Sequence, residues 1–380
     1  MKLIILQEKL KEGLAVVGKV SAKSLTLPIL KNVLIKSEKN FLSLTTTDLE
    51  MGITWWGLAK IEEAGETTVA TDIFSGFLGL LPNKQVDLAI SGQFLTIGCE
   101  NYKIKIKSNS VEEFPIIPQI TQNEFVVVNN KSFCYGLSQV VDISASSNAR
   151  PEISGVFLSF ARNIIRIAAT DSFRLAEKVV TLEKEKENEK LFSFIIPQKT
   201  AREIVNVFGD KNGELKIYPG ANQVLFELMM SETAHPYIHL SSRLIEGEYP
   251  NYQEIIPKEY ETQITVGKDE FVNKIKAASL FSGRINEVCF KVDPKKEQVE
   301  ITSQNPEAGD FNAVINAKIK GKETEISFDC RYLIDGLANI KSSEIFFGLS
   351  GGAKDEVGPG VIKPIGDANY VYVVMPIKTA

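Results

Sequence analysis

Histidine is almost missing from this chain: 380 residues contain two, His235 and His239, both in the stretch HPYIHL. A helix would put them on one face as zinc ligands stand. Pro236 and the Tyr-Ile-His-Leu run favour a strand instead, where they also share a face. No acidic or cysteine ligand stands beside them, so no metal is expected. Cysteine is scarce too. The four, at 99, 134, 289 and 330, form no C-x-x-C pair. They read as buried free thiols, which excludes a disulfide framework or zinc site. Long apolar runs are lacking. The opening MKLIILQEKLKEG has four consecutive apolar residues, too few for a signal-peptide core, and no window reaches bilayer length. A cytoplasmic protein with no membrane partner is expected. There is no phosphate loop, GxGxxG, HExxH or GxSxG, and so no cofactor is called for.

An excess of positive charge is also absent. The net charge of −5 argues against a general nucleic-acid adhesive. Composition is that of a globular protein, 44% apolar and 24% charged, and the length suits two or three domains.

What the chain does have is internal repetition. FLSLTTTDLEMGI (41–53), IIRIAATDSFRLAE (164–177) and QVEITSQNPEAGDF (298–311) each carry an alternating strand, a Thr/Ser-rich corner with an acid or amide, and a second strand. Asp48 and Asp171 are 123 residues apart, Asp171 and Asn305 134. Helical spacing recurs at the same interval, in TDIFSGFLGLLP from 71, PQKTAREIVNVFG from 197 and DCRYLIDGLANI from 329. Pro197 and Gly209 fall where a helix starts and stops. A further helix opens each unit, over 7–20, 130–145 and 268–282, after a short strand. EEFPII (112–117) and EYPNYQEII (248–256) form another pair, Pro115 and Pro250 being 135 residues apart. Such long periods mean tandem domains and not a solenoid. The fold class expected is α+β: three like domains, 1–121, 122–257 and 258–380, each with two helices on antiparallel sheets. The charged run LEKEKENEK (182–190) reads as a solvated hairpin loop.

Charge is unevenly spread. Six windows holding the helices total +6, leaving −11 for the rest. Gathered on one surface, the helices would give a basic face suited to loose phosphate contact. Lysines on the wet side of ordinary amphipathic helices explain the counts equally well. Asp48 and Glu50 could pass for a catalytic pair, but Asp171 recurs in the equivalent place without a second acid. A turn aspartate capping its own backbone is the commoner arrangement.

Taken together, LTLPILKNVLI (25–35), TTTDLEMGI, ARPEISGVFL (149–158), AATDSFRLA and the closing YVYVVMPIK resemble, over the whole chain, the bacterial DNA polymerase III beta subunit family, the sliding clamps. The resemblance implies a DNA clamp fold in which two three-domain chains close head to tail as a homodimeric ring. Duplex DNA is encircled without sequence preference, helices line the hole, and no reaction is catalysed. Partners implied are the replicative polymerase catalytic subunit, the clamp loader, and other polymerases and repair proteins carrying clamp-binding peptides.

By position, the resemblance places a peptide groove at the second-domain corner and the chain's end. From the corner side come Ile153, Thr170, Ser172, Phe173, Arg174 and Leu175. Pro250, Ile255 and Tyr332 join them, and the last strand adds Val373, Val374, Met375, Pro376 and Ile377. Thr170 and Arg174 are expected as polar anchors, while Val373 and Val374 are equally readable as core residues. Three departures bear on peptide preference: Ser172-Phe173 where the family often has Gly-His, Glu254 where a basic residue is common, and the added Thr379-Ala380. Lys23, Asn148, Arg150 and Lys199 fall at or beside DNA-facing positions, Lys23 standing in for a basic residue at Ser24. In NYKIKIKSN one face is apolar through Ile104 and Ile106, as an edge strand pairing near Leu280 of a second copy requires. Two rival readings remain: an enzyme using Asp48, Glu50 or Asp171, which needs a cleft of converging acids, and a monomeric scaffold that keeps the groove. Light scattering separates ring from scaffold.

Overall fold

In a computed structural model, residues 1–20, 27–117, 124–145, 149–182, 192–351 and 357–377 are described. The run 183–190, Lys23, Ser24, Asn148, Thr379 and Ala380 lie outside them. Two compact units share the chain: 1–134 with 202–244, and 135–201 with 245–380.

The first unit holds two antiparallel sheets. One runs β5 (Lys60–Glu63), β1 (Lys2–Leu6), β7 (Gln85–Ser91), β8 (Phe94–Cys99), β9 (Tyr102–Lys107). The other runs β10 (Val126–Asn129), β15 (Glu214–Pro219), β16 (Gln223–Met229), β17 (Pro236–Arg243), β4 (Met51–Leu58), β3 (Phe41–Thr47), β2 (Asn32–Glu38), β6 (Gly65–Ala70). Helices α1 (Gln7–Val17) and α2 (Thr71–Leu78) bury their apolar stripes here, with Leu10, Leu14, Val17, Phe74 and Leu78 closed from solvent. Side chains satisfy the helix ends: Gln7 Nε2 donates to the Leu78 carbonyl at 2.7 Å and Thr46 Oγ1 to the Val17 carbonyl at 2.6 Å. The fully buried Trp55 lies flat on the α1 backbone, where a Cβ on Gly13 would fall 2.5 Å from its ring.

The second unit has a nine-stranded sheet: β14 (Phe192–Pro197), β11 (Gly155–Ala161), β12 (Ile164–Thr170), β13 (Arg174–Thr181), β26 (Tyr370–Val374), β25 (Val357–Pro364), β24 (Glu344–Gly351), β18 (Thr262–Gly267), β22 (Lys318–Gly321). Its four-stranded sheet runs β21 (Gly309–Asn316), β20 (Gln298–Asn305), β19 (Glu287–Asp293), β23 (Thr324–Asp329). Helices α5 (Lys268–Ser279) and α6 (Cys330–Ala338) belong to it, α6 capped by Asp329, whose carboxylate accepts from Arg331 N at 2.9 Å. The central helices α3 (Asn130–Val140) and α4 (Gln198–Phe208) each contribute residues to both units. All six expected helices form, each ending one to five residues before its apolar window does.

Strand register makes the internal repeat explicit. Leu34, Thr45 and Thr54 stand in line across β2, β3 and β4, as Phe157, Ala168 and Glu177 do across β11, β12 and β13. Each pair differs by 123 in number. Among the described residues no helix is long and apolar enough to cross a membrane, and no cluster of His, Cys, Asp or Glu is arranged to hold a metal.

Candidate peptide-docking groove

The corner between β12 and β13 is built by its own side chains. Asp171 Oδ1 accepts from Phe173 N and Arg174 N, both at 3.0 Å, and Thr170 Oγ1 donates to the Arg174 carbonyl at 2.7 Å. The same device holds the β3–β4 corner, where Asp48 Oδ1 accepts from Glu50 N at 3.1 Å and Met51 N at 2.8 Å. At the β20–β21 corner Asn305 Oδ1 accepts from Glu307 N. These side-chain oxygens are spent on turns, as short polar side chains at such corners are. Ser172 sits at φ +79° and its counterpart Leu49 at +77°, a backbone region that favours glycine. A glycine at position 172 would hold that geometry without strain.

Below the corner, β13 pairs with β26, Leu175 opposite Val373 and Arg174 opposite Val374. Met375 N continues the ladder to the Phe173 carbonyl at 2.8 Å, and Ile377 N donates to Ser327 O at 2.8 Å. The chain end is thereby fixed beside the corner. Leu175, Ile153 and Val373 are at most 4% exposed and share a core with Ala168, Val361, Tyr249 and Tyr252. Val374 is wholly buried. These four, expected on the docking surface, are buried in this structure and lie beneath the exposed residues of the corner. The rim carries what is free. Phe173 is 60% exposed, Ile255 53% and Met375 40%, with Pro250, Tyr332, Pro376 and Ile377 half-buried.

The two expected polar anchors are also otherwise engaged. Thr170 serves the corner, and also accepts from Ser172 N at 3.2 Å. Arg174 lies over the Tyr332 ring, 4.6 Å from its centroid, and donates from Nε to Asp171 at 2.9 Å and from Nη1 to Asp335 at 2.6 Å. With two carboxylates on it, this guanidinium braces α6 against the corner and leaves little charge for a ligand. The Phe173 ring stacks toward Tyr332 at 6.4 Å. Glu254 accepts from Asn251 Nδ2 at 2.6 Å and so is turned to its own loop.

Asp335 and the two tyrosines were not foreseen. Tyr249 stacks on Phe157 at 4.7 Å, and Tyr252 donates its hydroxyl to Glu177 at 2.5 Å, tying segment 245–256 down over the sheet. Burial and then the Glu177 charge push the Tyr252 hydroxyl well above the ordinary tyrosine range. The only advance sign was the longer form of EYPNYQEII relative to EEFPII.

Other positions are scattered. Arg150 is held by Glu152 at 3.0 Å and Ser172 Oγ at 3.2 Å, beside the corner. Lys199 is exposed in the first turn of α4. Strand β9 is the outer edge of its sheet, with Ile104 half-buried and Ile106 5% exposed, so its free groups are backbone, lysine and the 48% exposed Tyr102. Leu280, just after α5, is 75% exposed, and β21 is likewise a sheet edge.

Known proteins match along the whole chain. Residues 1–118, 127–251 and 253–378 fit the N-terminal, central and C-terminal domains of the DNA polymerase III beta subunit. The beta sliding clamps of Staphylococcus epidermidis and Staphylococcus aureus are 28% identical over 367 residues, 93% of either chain. The crystal structure of the Bacillus subtilis DNA polymerase sliding clamp is 27% identical, covers 100% of both chains and superposes with a TM-score of 0.91. The Thermotoga maritima beta subunit, at 23% identity and TM-score 0.89, shares the fold. With three domain matches in order and two exposed corners built alike, the chain belongs to the DNA polymerase III beta subunit family, the sliding clamps of replication.

Proposed function

We propose that the chain acts as a processivity factor in the manner of its family: two copies close into a ring on duplex DNA and carry a polymerase by a peptide held in the groove. On this reading the domain limits are placed at 121/122 and 257/258. The observation that carries it is the groove rim. Phe173 and Met375, joined by a backbone hydrogen bond, stay exposed at one corner, and Ile255 is exposed on the segment whose Tyr249 and Tyr252 pack with the buried Leu175, Ile153 and Val373. Exposed apolar groups gathered over a rigid floor suit an extended apolar peptide. Partners are the polymerase catalytic subunit, the clamp loader and other proteins with such peptides, in the cytoplasm. No catalysis is assigned, and the corner aspartates support that, being committed to backbone.

On DNA, Lys199, Lys23, Arg150 and Asn148 are proposed to give loose phosphate contacts, because base reading would stop sliding. The groove is tested with rim residues, since cutting Leu175 to Ala or deleting 374–380 would damage the fold itself. Phe173→Ala with Met375→Ala should weaken binding of a polymerase-derived peptide at least tenfold, with mass by light scattering unchanged. Undiminished affinity in that variant places the site elsewhere.

A further inference from the structure

Among the described residues, the first unit repeats the sheet of the second but not its cover. In the second unit the face formed by Phe157, Ala168, Leu175 and Glu177 is closed by segment 245–256. Tyr252 fills its middle, 4% exposed, edge-on to Phe157 and Tyr249, with its hydroxyl on Glu177. In the first unit the corresponding segment is EEFPII. Phe114 stands for Tyr249 and Pro115 for Pro250, but Ile116 and Ile117 follow directly, and the four residues Asn251 to Glu254 have no counterpart. Ile117 lies over Gly52, whose Cβ position is 2.8 Å from it, and is among the residues that line the space above the strands.

Where a Tyr252 equivalent would lie there is a hollow of about 990 Å³. Its walls are aromatic: Trp56 meets His239 edge-on at 4.7 Å, and Phe41 stacks on His235 at 3.8 Å. At its floor is a hydroxyl pair, Thr45 and Thr54, 3.0 Å apart, Thr54 standing where Glu177 does. His239 is fixed from behind by Glu227 at 2.7 Å. The charges at the mouth, Lys36, Glu38, Lys39 and Glu66, cancel.

We propose that this hollow takes the side chain of an unmodified tyrosine presented by a peptide segment of a partner protein, as the second unit takes its own Tyr252. The ring would lie among Trp56, His235 and His239, and its hydroxyl would reach Thr45 and Thr54, which can both donate and accept. Balanced charge at the mouth suits a neutral phenol and offers a phosphotyrosine no surplus of cations. This site is separate in sequence and in unit from the groove.

The test uses the full chain and a synthetic nonapeptide, Glu-Tyr-Pro-Asn-Tyr-Gln-Glu-Ile-Ile, copied from residues 248–256. Of the two tryptophans Trp55 is buried, so a saturable change in emission reports Trp56. Replacing the peptide's second tyrosine by alanine should weaken binding at least tenfold, and Thr54→Tyr, which plugs the hollow, should abolish it with the thermal midpoint retained. Ser43→Arg with Thr54→Glu copies Arg166 and Glu177, aligned with them in register, and should tighten binding several-fold. Equal affinity for the tyrosine and alanine peptides overturns the proposal. So does binding that survives Thr54→Tyr but is lost with Met375→Ala, which would assign the peptide to the groove.

Discussion

Ser172 holds a conformation that costs an L-residue about 1–2 kcal/mol, and it tolerates this because Asp171 and Thr170 fix the turn on both sides. A β-branched residue there has no such latitude. Ser172→Val should destabilise the protein by a further ~1–2 kcal/mol in urea unfolding, whereas Ser172→Gly should stay within about 0.5 kcal/mol, relief of strain being offset by a more flexible unfolded chain. A glycine variant that unfolds as readily as the valine one would contradict the strain. Glu227 sets an acid limit of a different kind. Burial favours its protonated form, but hydrogen bonds from His239 and Tyr218, the His239 charge and the Lys216 bond outweigh it and hold the carboxyl at about 2 against an ordinary 4.5. A carboxylate depressed on folding contributes stability above the ordinary value and loses it as pH falls toward the folded one. Unfolding midpoints should therefore drop between pH 4.5 and 2 in the native chain. In Glu227→Gln that drop should be shallower, and an identical pH profile would show that other carboxylates govern the acid limb.

Among the elements, α1 shows how a helix and a strand can be matched by a missing side chain. Alanine is worth roughly 0.5–1 kcal/mol more than glycine in a helix, so Gly13→Ala should stabilise α1 by itself. The Trp55 ring, 2.5 Å from the new Cβ, reverses the sign. Overpacking of this kind costs about 1–3 kcal/mol, and a lowered thermal midpoint is the expected result. Gly136 against Val180, at 2.8 Å, and Gly336 against Tyr372, at 2.4 Å, are also too close for a Cβ. Helices and corners were legible in the sequence because their signals are local: 3.6-residue spacing, and Thr-Asp turn chemistry at fixed intervals. Faces were harder. All five residues of β26 are buried, so its apolar run gave no alternation to separate floor from rim at Val373, Val374 and Met375. Alternation in β9 located the edge but not that Ile106 is buried within this chain. The sequence marks Arg174 as a polar anchor and gives no sign that Asp335, 161 residues away, engages it, nor that Tyr252 meets Glu177, 75 residues from it. Such partners meet only through the folded topology.

At the scale of the molecule, retention on DNA is predicted to depend on closure more than on charge. The helix windows total only +6 per chain, and contacts that few leave equilibrium binding within or below the non-specific range of roughly 10⁻⁴ to 10⁻⁶ M. Loaded by a clamp loader on nicked circular DNA, the protein should withstand a high-salt wash and be lost once the circle is cut. Ile104→Asp with Leu280→Asp, aimed at the β9 edge and the exposed end of α5, should give a folded monomer that neither form of DNA retains. Equal retention on circular and linear DNA would assign the holding to contacts. A double variant that stays dimeric would move the interface elsewhere.

The pairing of β4 with β17 also governs how the chain is made. Trp55 lies opposite Ile238, 183 positions further on, and Leu175 opposite Val373. A ribosome adding about 5–20 residues per second therefore leaves the free side of β4 unpaired for roughly 10–40 s. Through that interval the nascent chain presents an apolar, open-edged half-sheet to every neighbour on the polysome. The order of translation, and whatever shields the emerging N-terminal half, are thus as much a condition of obtaining this protein as its final stability.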